Sequence, residues 1–203
     1  MKRAQRDPLD PRFLFLIFVA IGVGTVLLDQ SPRLALLWTS LLAMSVYYRG
    51  HREVPTDFAL RSIGRGALLG AIISVPALAF LSKQLRVFAE RLYATRDPVL
   101  LLYQVCFISA PIEEYFFRGI IQSRLGSSLS IGLYALVPLL YFLPHTPVLV
   151  TFIVFVAMGA LGIVYAYVRD HHGLAASIAC HIVVGFVLQV MPSLIAALRL
   201  TIS

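Results

Sequence analysis

Charge is what this sequence has least of. Only 13% of its 203 residues are charged and 59% are hydrophobic, where a soluble domain carries about 25% and about 45–50%. A soluble fold of this length has too little interior for so much apolar surface, and a mean hydropathy of +0.85 points the same way. Cysteine is nearly absent too. Cys106 and Cys180 both fall inside apolar runs, where they act as small buried hydrophobes rather than an oxidised structural pair. Acidic residues number ten against seventeen Lys and Arg, a net charge of +7. No aromatic-interleaved basic stripe accompanies that excess, which argues against a nucleic-acid groove. The cations sit between apolar runs, where positive-inside bias places them. No A-x-A-like cleavage site follows the first apolar run, so it is expected to be a retained span rather than a leader. Internal repeats, low-complexity tracts and an inserted soluble domain are all missing.

What is present is a series of apolar runs. A spanning helix needs about 20 mostly apolar residues, and seven candidates occur, at about 13–28, 34–48, 63–82, 98–121, 128–144, 148–168 and 173–196. The expected fold is an all-α membrane bundle of about seven transmembrane helices. Turn formers separate the runs, as in Gln30-Ser31-Pro32, Gly126-Ser127-Ser128 and Pro144-His145-Thr146-Pro147. Residues 83–97 alternate charge and bulk at helical spacing, with Leu85, Val87, Phe88 and Leu92 as an apolar face. They are expected to form an amphipathic helix lying in the membrane interface. The chain then divides into residues 1–97, N-terminal helices ending in that amphipathic segment, and residues 98–203, the functional core. The distribution of cations over the loops weakly favours a cytoplasmic N-terminus.

Ionisable residues inside spans are costly and mark functional sites by default. Three places qualify: Glu113, Glu114 and Arg118 in the fourth span, His145 at the end of the fifth, and His181 in the seventh. Glu114 and Arg118 stand four apart and can pair along one helix face. Glu113 is rotated by about 100° and is expected to lack a partner nearby in sequence. Two adjacent carboxylates in low dielectric compete for ionisation, which suits a general base that takes and returns a proton. A buried ion pair that orders the bundle accounts equally well for Glu114 and Arg118, and a transporter's proton relay is a third reading of the cluster.

A glutamate and two histidines can polarise a water and direct it at a carbonyl, with one histidine donating to the oxyanion. The same set can hold zinc with an open position, although the compact H-E-x-x-H form is missing. No G-x-S-x-G elbow is present either. Counting 1.5 Å per residue places Glu113 and His181 roughly 8 and 12 Å from one edge of the bilayer. His145 comes out at roughly 26 Å, too deep to meet them without a kink or a tilt.

The run Glu113-Glu114-Tyr115-Phe116-Phe117-Arg118-Gly119 resembles the E-E-x-x-x-R motif of the CPBP intramembrane proteases, which include CAAX prenyl endopeptidases and bacteriocin-processing or Abi proteins. Tyr141-Phe142-Leu143-Pro144-His145 is similar to the family's F-x-x-x-H, with tyrosine in the first place. The stretch from Gly173 to His181 resembles its last block. The resemblance implies that Glu113 and His145 activate the attacking water, that Glu114 and Arg118 hold the motif helix, and that His181 helps form the oxyanion site. It implies a glutamic-type mechanism with no cofactor, zinc remaining a mechanistic variant. The last motif continues to Asn or Asp four residues after the histidine in most members, and here that residue is Gly185. Tyr141 or a backbone N–H is the expected substitute donor.

The expected function is that of an intramembrane endopeptidase acting on peptide or protein substrates at the membrane, lipidated ones or ones with a C-terminal sorting signal among them. The expected setting is a bacterial inner membrane, with lipid as surroundings and no nucleic-acid partner. The alternatives are a non-catalytic scaffold or immunity protein that keeps the fold, and a proton-coupled carrier. Seven uneven spans without a repeat speak against the carrier.

Overall fold

The computed structural model describes residues 9–56, 58–142 and 146–202, with side chains up to Leu198. His145 lies outside the described residues, so the site is built below without it. Among the described residues the chain is helical throughout, without strands. Seven helices follow one another: α1 (Pro11–Gly24), α2 (Gln30–Arg49), α3 (Leu60–Leu92), α4 (Pro98–Leu125), α5 (Ser127–Phe142), α6 (Val148–His172) and α7 (Leu174–Leu198).

Local chemistry sets their ends. Asp10 and Asp97 each precede a proline and accept the backbone N–H two residues on, from Arg12 and Val99, both at 2.8 Å. Proline at the first helical position has no N–H to leave unsatisfied, so Asp-Pro is a strong helix start. Gly126 and Gly173 have φ of +85° and +89°, a region open to glycine. Each turns the chain between two helices with almost no loop.

Residues 83–92 are the last part of α3, beyond a kink at Leu81. The helix stops at Leu92, short of the expected 97, and Ala94 takes a positive φ of 50°.

Four helices, α3, α4, α6 and α7, are long and apolar enough to cross a membrane; α1 and α5 are shorter apolar helices. The outer surface is apolar: Leu68, Ile72, Val75 and Phe80 on α3 and Phe152, Ile153, Val156 and Ile163 on α6 are exposed. Glu113, Glu114, Arg118, Gln122 and His181 are instead buried. Apolar outside and ionisable inside is the arrangement that lipid enforces, and the chain is an integral membrane protein.

Helix α4 lies at the centre, touching α2, α5, α6 and α7, while α3 packs along α7 and α5 along α6. The α3–α7 contact is close because Gly66 and Gly70 face α7. A Cβ on Gly66 would stand 2.1 Å from the carbonyl oxygen of Ala176, and one on Gly70 2.7 Å from that of Cys180. Small residues four apart let two helices approach backbone to backbone. Here they bring the Ser177–His181 turn of α7 into the core.

Candidate active site

The centre of α4 is not a regular helix. A five-residue α-helical turn, Ala110–Glu114, is flanked by wider π-helical stretches, Tyr103–Ser109 and Tyr115–Gln122. Such wide turns are rare and concentrate at functional sites. They also change which residues share a face, so spacing rules for a regular helix mislead here.

Glu113 is 2% exposed. Two hydroxyls donate to its Oε1, from Ser109 at 2.8 Å and from Tyr141 at 2.9 Å. The expectation that nothing nearby in sequence serves Glu113 is therefore corrected: Ser109, one turn earlier, does. With both donors on Oε1, Oε2 is left to exchange a proton. The bond from Tyr141, in the last turn of α5, brings that helix end beside Glu113.

Glu114 has no exposed surface. Its Oε1 lies 3.1 Å from His181 Nδ1, and its Oε2 accepts a hydrogen bond from Ser177. The Ser177 hydroxyl also stands 3.0 Å from the carbonyl oxygen of Tyr165. A proton on Nδ1 donated to Glu114 leaves Nε2 of His181 for a reacting molecule, the way a carboxylate fixes a histidine tautomer. The ring is further held by stacking on Tyr165, centroids 4.6 Å apart at 18°. His181 thus pairs with the second glutamate.

Arg118 pairs with Glu114 less directly than i, i+4 spacing suggests. Nε stands 3.8 Å from Oε2, an ion pair without a hydrogen bond. The wide turn from Tyr115 to Gln122 swings the guanidinium elsewhere. Nη1 donates to Ser130 Oγ and Nη2 to the carbonyl oxygen of Gly162, both at 3.2 Å, and the cation lies 4.6 Å above the ring of Tyr134. Fully buried, it ties α4 to α5 and α6. Ser130 passes the contact on by donating to the carbonyl oxygen of Phe117 at 2.8 Å.

At the end of the bundle near Tyr141, Gln30 Nε2 donates to the carbonyl oxygens of Leu92 and Tyr141 at 3.0 and 3.1 Å. Tyr93 donates to Gln189 Oε1 at 2.7 Å. A cavity of about 280 Å³ lined by Gln30, Arg91, Phe142 and Thr146 lies there. Among the described residues no group of three His, Cys, Asp or Glu gathers as a metal would need. Cys106 and Cys180 are free thiols.

The structure therefore brings Glu113, Glu114, Arg118, Tyr141 and His181 together. The sequence reading missed Ser109 and Ser177, although a signal existed: each stands four residues before a site residue, Glu113 or His181, one turn back on the same face. Gly185 also has a structural reason. A Cβ there would come within 2.6 Å of Val105 Cγ1, so this position of α7 has no room for a side chain.

Residues 95–187 match the family model described as type II CAAX prenyl endopeptidase Rce1-like. That segment runs from three residues before α4 to two residues past Gly185. No curated protein and no solved structure matches the chain.

Proposed function

We propose that this chain, whose segment 95–187 matches the Rce1-like type II CAAX prenyl endopeptidase model, is a member of the CPBP intramembrane proteases and a glutamic-type endopeptidase that cuts membrane-associated peptides or proteins. The observation that carries this reading is Glu113, a nearly inaccessible carboxylate that the described residues hold through one oxygen, with the Glu114–His181 pair beside it. Oε2 of Glu113 takes a proton from water as the water oxygen bonds to the scissile carbonyl carbon. His181, oriented by Glu114, offers Nε2–H to the carbonyl oxygen when its ring carries a second proton. The proton held by Glu113 then passes to the leaving nitrogen as the C–N bond breaks, so peptide and water become acid and amine. His145, as the resemblance implies, shares the activation of water.

The family description supports prenylated CAAX-type ends as the first substrates to try. A second reading, a scaffold that keeps the fold without catalysis, draws on Gly185, where no polar side chain stands. The two readings separate in the membrane peptidome of cells carrying wild type or Glu113→Gln at equal expression. Proteolysis predicts cleavages near membrane segments that vanish in the variant. Identical peptidomes, with both proteins rescuing a deletion, point to the scaffold.

A further inference from the structure

Tyr134 is a residue of the central cluster whose hydroxyl has no hydrogen-bond partner among the described residues. It stands two turns before Tyr141 on the same face of α5 and is wholly buried. Its ring carries the Arg118 guanidinium on one face, at 4.6 Å, and meets His181 edge-on, with centroids 6.2 Å apart at 85°. Phe117 and Tyr165 pack against it in the same edge-on manner, at 5.3 and 6.1 Å. The ring is thus fixed on several sides, yet among the described residues the hydroxyl has no hydrogen-bond partner. Leaving a buried hydroxyl unpaired is destabilising, and phenylalanine would fill the same space without that cost.

Five neighbouring hydroxyls are committed. Ser109 and Tyr141 serve Glu113, Ser177 serves Glu114, Ser130 serves the Phe117 carbonyl, and Tyr93 serves Gln189. The ring stands between Arg118 and His181, the histidine that the mechanism above sets beside the scissile carbonyl. One turn beyond His181, Gly185 is closed against Val105, so α7 provides no second side-chain donor there.

We propose that the Tyr134 hydroxyl is a catalytic hydrogen-bond donor, meeting the scissile carbonyl oxygen as it becomes an oxyanion beside His181. The inference rests on the proteolytic reading above. As the water oxygen bonds to the carbonyl carbon, the C=O π pair moves onto oxygen, and that oxygen accepts from Tyr134 and from His181. No proton leaves the phenol, and the pair returns when the C–N bond breaks. A preformed donor of this kind stays unpaired in the resting protein because its partner is the transition state, so no reorganisation is needed at the moment of reaction.

The test is Tyr134→Phe in the full chain, reconstituted in liposomes and given a quenched fluorescent prenylated CAAX peptide, with Glu113→Gln alongside. The expected result is a fall in kcat of about 10²–10³-fold, KM within about twofold, and a melting temperature equal to or above wild type. A merely structural tyrosine would lower the melting temperature together with activity, and that outcome overturns the proposal. Wild-type kcat in Tyr134→Phe with an inactive Glu113→Gln overturns the proposal while leaving the protease reading in place. A Glu113→Gln protein that cleaves like wild type overturns both.

Discussion

Replacing Gly66 by alanine tests how the site depends on a helix contact remote from it. The new Cβ would stand 2.1 Å from the carbonyl oxygen of Ala176, where real contacts begin at about 3.0 Å, so α3 and α7 must part by about 1 Å. Both atoms belong to rigid helices, and no flexible side chain can absorb the overlap. Ser177 follows Ala176 directly, and His181 lies one turn further along. A displacement of that size in α7 moves His181 relative to Glu114, which it now meets at 3.1 Å, and spoils the hydrogen-bond geometry between them. Misplacement of that size costs about 10²-fold in rate, and overpacking of a tight interface costs about 1–3 kcal/mol in stability. Gly64, on the same helix but exposed with nothing within 4 Å of its would-be Cβ, is the control. Alanine there should be neutral or stabilising by up to about 1 kcal/mol. Peptide cleavage and thermal unfolding of both variants decide the matter. Gly66→Ala with wild-type activity and melting would refute the claim that this contact sets the position of His181.

Three further substitutions probe the site itself. Tyr141→Phe removes one donor from Glu113 and leaves Ser109 in place; kcat should fall about 10-fold, consistent with about 1.5 kcal/mol for a hydrogen bond to a charged group, with melting little changed. Glu114→Gln keeps shape but loses the charge that orients His181; by analogy with other carboxylate–histidine pairs, kcat should fall by up to about 10⁴-fold with KM nearly constant, measured under single-turnover conditions. Arg118→Met removes a fully buried cation with bonds to two other helices and leaves Glu114 without its counter-charge; stability should drop by about 3–5 kcal/mol, read as the yield of monodisperse protein and its melting temperature.

The fold was legible where sequence and lipid impose the same condition. Long apolar runs broken by Asp-Pro, Gly126 and Gly173 leave little choice but helices with short turns, and all seven helices lie near their expected places. The number that cross the membrane is less legible, because α1 and α5 are short and α2 carries Arg33 and Arg49 at its ends. The candidate site was legible as a set of residues, since Glu113, Glu114, Arg118 and His181 are ionisable groups in apolar surroundings. Their partners were not, because a wheel of 3.6 residues per turn does not hold across the π-helical stretches of α4. It exaggerated the Glu114–Arg118 pair, while the Glu114–His181 pair joins two helices and shows only once they are packed; the bond from Ser109 to Glu113 follows ordinary i, i+4 spacing and was overlooked. The close α3–α7 contact was written in Gly66-x-x-x-Gly70, but a small-residue pair reveals its partner helix only once both helices are in place. The free hydroxyl of Tyr134 could not be read at all, since being unpaired is a property of the whole cluster.

The most direct test of the central claim uses the purified chain in liposomes with a prenylated CAAX peptide, comparing wild type and Glu113→Gln by mass spectrometry of the products, with and without a metal chelator. A glutamic endopeptidase predicts one defined cut by wild type in both conditions and no product from Glu113→Gln, while both proteins melt alike. Cleavage by Glu113→Gln at the wild-type rate would contradict the account, because the carboxylate held by Ser109 and Tyr141 would then not be the group that activates water.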